Sequence, residues 1–501
     1  MEAYIDKSTY LEYLNCPKNT WLKMHRSELL ELFELSEFEK NLSQTGRLVE
    51  ELAAKMFPQG VAIKRFGEQI IPATRRHLEQ KTPVLLQPTF LFEDFLCRCD
   101  ILVYDATNDA WNLQEIKATN SFEGHGKEID FMEDATFQAA ILTRLGIKLS
   151  KIFLVHLNKD YVRGDELELD ELFVSEDITE EVFKKIPATW KKMQQARQDL
   201  LNRQEEEVVC QCLYVGRGAQ CATFKYSHPY VPDYSVYDLY RIGLSPQKLT
   251  QLIRGKVFDL KDIPRDFSLS DIQQNQLRVH LEQKPMLNRV GLKAELDKLI
   301  YPLYFLDFES YASAMPLFPG FSPYQQIPFQ FSLHVVEKPG AEPEEYGYLH
   351  EGDFDPSLAI IEDLREFIGP IGSVIVWNKS FESKIHTELA IRHPEHRKFL
   401  DDLNFRIFDL MDIFRKQIYV HPDARGKNSL KSVLPALVPE LSYKNLEIQE
   451  GATACQRWFE MVFSEELVPS EKEKIATDLL KYCSLDTYAM YAIWKHLREL
   501  I

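Results

Sequence analysis

The sequence predicts a multidomain α/β protein, on three observations. Its 501 residues exceed what one core ordinarily organises, so two or three domains are expected. Runs with strand character alternate with segments of helical periodicity towards both ends of the chain. Between them lies a polar, helix-patterned stretch with few β signals. The expected divisions are residues 1–221, 222–299 and 300–501.

In the first division, "FLCRCDILVYD" (95–105) and "AWNLQEIKAT" (110–119) read as strands flanking the turn-forming "ATND". Helical periodicity resumes at "MEDATFQAAILTRLG", the strand-like "KIFLVHL" follows, and a charged helix runs from about Thr179 to Glu207. The second division holds the helical segments "SPQKLTQLIRG" and "SLSDIQQNQLRVHLEQ" and reads as a connector. In the third, the strands "LYFLDFES", "FQFSLHVVE" and "GSVIVWN" are interleaved with helices, and a last helix covers roughly Ser470 to Leu500.

Composition narrows the function classes. The chain is 45% hydrophobic and 27% charged, as in globular proteins, with no apolar run near the roughly 20 residues needed to span a bilayer. The N-terminus lacks the basic start and apolar stretch of a secretion signal, so a cytoplasmic location is expected, without membrane attachment. Eight cysteines are too few for a disulfide framework, which makes clustered thiols candidates for metal ligands. A net charge of -18 argues against broad adhesion to nucleic acid but not against an acidic, metal-dependent nucleic-acid enzyme.

The stretch "LYFLDFESYA" (303–312) places Asp307 and Glu309 inside an otherwise buried strand. Residues two apart share a strand face, so the two carboxylates point the same way. Like charges held together at a buried site call for a divalent cation. Further acids stand on other elements: Glu382 follows the strand "VIVWN", and Tyr482 and Asp486 share a helix face at i, i+4.

"DFE" (307–309), "NKSFE" (378–382) and "YCSLD" (482–486) resemble the three exonuclease motifs of the DEDD superfamily, tyrosine subclass. The resemblance implies a ribonuclease H-like fold and 3′-to-5′ exonucleolysis. Two Mg²⁺ or Mn²⁺ ions would be held by Asp307, Glu309, Glu382 and Asp486, with Tyr482 orienting the attacking water. Glu382 departs from the pattern, which usually has Asp there. Gln330, in "YQQIPFQFS", is a candidate contact to a terminal nucleotide, although core packing explains its aromatic neighbours equally well.

In the first division, Asp100, a hairpin, then Glu115 and Lys117 on one strand face resemble the PD-(D/E)xK core of RecB-like nucleases, a restriction-endonuclease-like fold. By that resemblance Asp100, Glu115 and Glu50 ("GRLVEELAAKMFP") bind Mg²⁺ or Mn²⁺, the Ile116 carbonyl is an additional ligand, and Lys117 positions the water. Gln138 resembles the first residue of the family's Q-x-x-x-Y motif, a nucleic-acid contact. Leu142 stands where the Tyr would be. Taken singly, an E-x-K on a strand is a solvated ion pair worth at most about 1 kcal/mol.

Cys16 lies before this core, and Cys210, Cys212 and Cys221 after it. One thiol before and three after resembles the iron-sulfur staple of AddB-type and CRISPR-associated RecB-like nucleases, which implies a structural [4Fe-4S] cluster. The C-x-C-x₈-C spacing is not the usual one, and zinc or free thiols are competing readings. The order of the parts resembles a bacterial family of two-nuclease proteins. The expectation is a metal-dependent nuclease acting on DNA with free, preferably single-stranded, ends. An RNA-trimming exonuclease and a nonenzymatic DNA-end-binding protein are the alternatives.

Overall fold

The computed structural model describes residues 4–63, 69–121, 128–202 and 210–501. The protein is mixed α/β and divides into two compact units. Unit 1 comprises Met1–Leu213, Ala219–Pro229 and Ser313–Gln325; unit 2 comprises Tyr214–Gly218, Tyr230–Ala312 and Gln326–Ile501.

In unit 1 six strands lie side by side in chain order: β1 (Val61–Ala62), β2 (Val84–Leu86), β3 (Ile101–Asp105), β4 (Ala110–Lys117), β5 (Leu149–Leu157) and β6 (Phe173–Asp177). The β3–β4 hairpin is antiparallel and β4–β5 parallel. Helices α1 (Lys7–Asn15), α2 (Pro17–His25), α3 (Glu37–Ala54), α4 (Glu128–Arg144) and α5 (Thr179–Leu201) accompany the sheet. Strand alternation divides the apolar residues between two cores. Leu102, Leu113, Ile152 and Leu154 pack with Phe137, Ala140 and Ile141 of α4 and Met193 of α5. Ile101, Ile116, Val155 and Leu157 pack with Val49, Leu52 and Ala53 of α3. Glu115 follows Leu113 by two, so β4 presents it to α4.

Unit 2 opens with α6 (Pro246–Arg254), α7 (Asp271–Glu282) and α8 (Arg289–Leu296). Its sheet is built from β7 (Leu303–Ala312), β8 (Gln326–Val336), β9 (Glu344–Leu349), β10 (Ser373–Val376) and β11 (Ile407–Asp409), in the order β9-β8-β7-β10-β11. The β7–β8 and β8–β9 pairs are antiparallel; β7–β10 and β10–β11 are parallel. Helices α9 (Ser357–Phe367), α10 (Lys379–Arg392), α11 (Arg397–Arg406), α12 (Leu430–Leu437), α13 (Gly451–Phe463) and α14 (Pro469–Glu499) complete it.

The alternation of β7 explains how its acids are tolerated. Tyr304, Leu306 and Phe308 face one way, into a core with Ile360, Ile361 and Leu364 of α9 and Ile385 and Leu389 of α10. Phe305 faces the other way, its ring 5.9 Å from those of Tyr491 and Trp494 on α14. Asp307 and Glu309 continue that second row towards α14. No helix among the described residues is long and apolar enough to cross a membrane.

Candidate functional site

Asp307 and Glu309 of β7 meet Asp486 of α14, and one carboxylate oxygen from each lies within 4.8 Å of the others. Strand β7 pairs with β10 only over Leu303–Phe305, so the dyad stands beyond the paired stretch, at the carboxyl ends of the parallel strands. A register shift between Glu309 and Ser310 moves the pairing from Gln330 to Pro328, a residue that cannot donate to the ladder.

Helix α14 presents Ile475, Leu479, Tyr482, Asp486, Met490, Ile493 and Leu497 as a buried stripe at helical spacing. Three polar contacts pin it to β8. Gln330 Nε2 donates to the Leu479 carbonyl at 3.0 Å, Ser332 Oγ lies 2.7 Å from Thr487 Oγ1, and His334 Nδ1 lies 2.8 Å from the same hydroxyl. Thr487 adjoins Asp486, so these contacts set where that carboxylate falls. Gln330, expected to contact a nucleotide, is instead only 1% exposed, with its amide engaged by the backbone of α14.

The acids are electrostatically crowded. Burial, then the charges of Asp486, Glu309 and Glu382, push Asp307 well above the ordinary carboxylate range; burial and Asp486 do the same to Glu309. Burial lifts Asp486 to about 6, against the hydrogen bond from Tyr443 and the charge of Lys431. The Tyr443 hydroxyl donates to Asp486 Oδ1. Lys431, on α12, donates to the Tyr482 hydroxyl at 3.2 Å and sits 5.4 and 5.2 Å from the ring centres of Tyr443 and Tyr482. Burial and the neighbouring acids push both phenols up, so both stay protonated. A Cβ on Gly451 would lie 3.7 Å from Glu309 Oε2 and 3.9 Å from the Tyr482 hydroxyl, which places the start of α13 beside the acids.

Glu382 lies outside that trio. It occupies the first turn of α10, is 2% exposed, and its Oε2 has no hydrogen-bond partner. Burial raises it to about 8, with Asp409 adding to the shift. Asp409, at the end of β11, accepts from the Lys379 N–H at 3.3 Å and so caps the same helix. Glu382 nevertheless acts on Asp307 through its charge.

Magnesium or manganese bound by oxygen at about 2.1 Å places neighbouring ligands roughly 3–4 Å apart, within the span of the Asp307, Glu309 and Asp486 oxygens. The buried Glu382 oxygen is a further hard donor without a partner.

In unit 1, Asp100, Glu115, Lys117 and Gln138 do come together, with two additions. Lys117 Nζ lies 2.6 Å from Glu115 Oε1 and also contacts Asp134 of α4. Lys7, the first residue of α1, lies 2.9 Å from the same Glu115 oxygen and 3.2 Å from Asp134 Oδ1. Gln138 donates to the other Glu115 oxygen and, at 3.0 Å, to Asp134, so it holds carboxylates rather than standing open to nucleic acid. The Ile116 N–H donates to Asp100 Oδ2 at 2.8 Å. Gln87 Nε2 is 3.4 Å from Glu50 Oε2.

Burial alone would raise Glu115, but Lys117 and Lys7 hold it well below the ordinary range. Asp100 is pushed up by burial, Glu115 and Glu50. Among the described residues these acids do not form a group with oxygens spaced to share one ion, in contrast to the Asp307 trio. Sequence reasoning missed Asp134 and Lys7. Asp134 lies one helical turn before Gln138 in an otherwise apolar run, a signal that could have identified it.

The four cysteines also converge in unit 1. Cys16 lies between α1 and α2, and the sulfurs of Cys16, Cys210, Cys212 and Cys221 all lie within 4.8 Å of one another. The Cys16–Cys210 and Cys210–Cys221 separations are 3.4 and 3.6 Å. Asn19 Oδ1 ties the same segments together, accepting from Thr223 N and Oγ1 at 3.1 and 2.9 Å. Four sulfurs about 2.3 Å from one tetrahedral ion stand about 3.8 Å apart. A cubane cluster places an iron between its centre and each thiolate and needs a wider spread. Cys97 and Cys99, expected as packing residues, are fully buried.

Residues 304–429 match a family described as a domain of unknown function, DUF2779. The match takes in Asp307, Glu309 and Glu382 and stops before Tyr482 and Asp486. Over 223 residues the chain is 28% identical to the uncharacterized protein MG366 of Mycoplasma genitalium, covering 41% of this chain and 33% of that protein. Over 294 residues it is 26% identical to the uncharacterized protein UU173 of Ureaplasma parvum serovar 3, covering 54% of this chain and 41% of that protein. The chain thus matches well under half the length of these curated relatives.

Proposed function

We propose that the chain is a metal-dependent nuclease that releases nucleotides from the 3′ end of DNA at the Asp307 site, preferring single-stranded ends, with a second nuclease site in unit 1. The observation that carries this reading is the convergence of Asp307, Glu309 and Asp486 from two elements 176 residues apart in sequence, with oxygens spaced for a shared cation. A mixed sheet with the dyad on its central strand and α14 laid beside it supports a ribonuclease H-like fold for unit 2. The β3–β4 hairpin, with Asp100 before it and Glu115 and Lys117 on its second strand, supports a PD-(D/E)xK fold for unit 1.

Paired divalent cations about 3.5–4 Å apart stabilise the attacking and leaving oxygens of an in-line displacement. Asp307, Glu309 and Asp486 would hold them, with Glu382 as the fourth carboxylate. The protonated Tyr482 hydroxyl, fixed by Lys431, orients the attacking water, and Tyr443 keeps Asp486 in place. In unit 1 the four thiolates would hold a structural centre. Their spacing favours one tetrahedral ion such as Zn²⁺ over the [4Fe-4S] cluster that the resemblance implies.

The test is digestion of 5′-labelled single- and double-stranded DNA and RNA with Mg²⁺ or Mn²⁺. Asp307→Ala should abolish 3′ release while the protein stays folded, and Lys117→Ala in that background should remove residual cleavage. Degradation by Asp307→Ala at the wild-type rate refutes the assignment of the site. Digestion of RNA in preference to DNA refutes the substrate.

A further inference from the structure

We infer that Lys7 belongs to the unit 1 site, where its ammonium takes the place of a second divalent cation and leaves room for one ion. This rests on the reading of that site as a metal-dependent phosphodiesterase.

The geometry is specific. Lys7 and Lys117 come from elements far apart in the chain, yet both ammonium groups bridge the same two carboxylates, Glu115 and Asp134. Those carboxylates are 0% and 4% exposed in their side chains, against 27% for Lys7. Buried carboxylates without countercharge are strongly disfavoured, and here lysines supply what a metal supplies elsewhere. Both oxygens of Glu115 are engaged, one by the two lysines and one by Gln138.

Charge decides how many ions fit. Asp100, Glu115, Asp134 and Glu50 face two ammoniums, which leaves charge for one divalent ion. In unit 2, Asp307, Glu309, Asp486 and Glu382 face only Lys431, which leaves enough for two. An ammonium also attracts the non-bridging oxygens of a phosphodiester, so Lys7 neutralises substrate charge where a second ion would otherwise stand. Its position between Ile5 and the start of α1 fits it for this. Asp6 caps the helix through a bond to the Thr9 N–H at 2.8 Å, so Lys7 leaves a fixed backbone.

The test uses the full chain with Asp307→Asn and Asp486→Asn to silence the unit 2 site. Mn²⁺ binding is followed by electron paramagnetic resonance and calorimetry, and folding by near-ultraviolet circular dichroism. With Lys7 present, one Mn²⁺ should bind in unit 1 and be lost on Asp100→Asn. Lys7→Gln should admit a second ion or tighten binding at least tenfold, and Lys7→Arg should behave as Lys. Unchanged stoichiometry and affinity in Lys7→Gln, with the ion still lost on Asp100→Asn, overturns the role of Lys7 and leaves the metal site standing. No Mn²⁺ in either form overturns both. Should Lys7→Gln fail to fold, the parent decides: one ion supports the inference and two overturn it.

Discussion

Glu382 gives the sharpest test of the unit 2 site, because its carboxylate is 2% exposed with an unpartnered oxygen. Burial moves it from an ordinary value of 4.5 to about 8. Between those values the folded chain binds a proton that the unfolded chain has lost, so stability is full below pH 4.5 and declines as pH rises through about 8. At about 1.4 kcal/mol per pH unit, the ionised carboxylate costs the metal-free fold up to roughly 5 kcal/mol. For a unit of this size that corresponds to a melting shift on the order of 10 °C. Glu382→Gln is neutral at every pH and escapes this loss. In chelator-treated protein, wild type and Glu382→Gln should melt alike at pH 5, and the variant should melt markedly higher at pH 9. Saturating Mn²⁺ should close the gap by stabilising the wild type, since the ion then faces the ionised carboxylate. Parallel melting curves across pH 5–9 in chelator would refute the argument, because they would mean that the carboxylate is solvated or paired.

Two further predictions concern other parts of the protein. Tyr482→Phe removes the hydroxyl that accepts from Lys431. It should slow 3′ release roughly 100-fold while stability changes by only about 1 kcal/mol; an unchanged rate on labelled oligonucleotide would leave Tyr482 a packing residue. Cys16→Ser should lower the melting temperature of unit 1 and remove its bound metal, checked by elemental analysis of protein prepared without oxygen. One zinc per wild-type chain agrees with the sulfur spacing, four irons would overturn it, and a metal-free wild type would make the thiols structural.

Much of the unit 2 site was legible in the sequence because it depends on two short periods. Alternation on β7 puts Asp307 and Glu309 on the face opposite Phe308, and the i, i+4 spacing puts Tyr482 and Asp486 on one side of α14. Periodicity assigns a residue to a face but does not say what covers that face. Gln330 lies opposite Glu309 in the β7–β8 ladder, yet α14 covers it and takes up its amide, a fact of tertiary packing. Tyr443 and Lys431 reach the acids from the chain between β11 and α14, where no regular period announces them.

Unit 1 illustrates the same limit with greater chemical consequence. The hairpin and its E-x-K could be read locally, but Lys7 meets Glu115 across 108 residues of sequence. That single contact changes the site's character. The two clusters contain the same kinds of residue, carboxylates on strand ends and helices with lysine nearby, and differ in how much negative charge their own lysines cancel. In unit 1 the lysines hold Glu115 ionised without an ion; in unit 2 the acids are driven towards protonation unless a cation joins them. Metal demand is therefore set by the count of nearby ammoniums as much as by the carboxylate motif, and that count emerges only when distant segments are brought together.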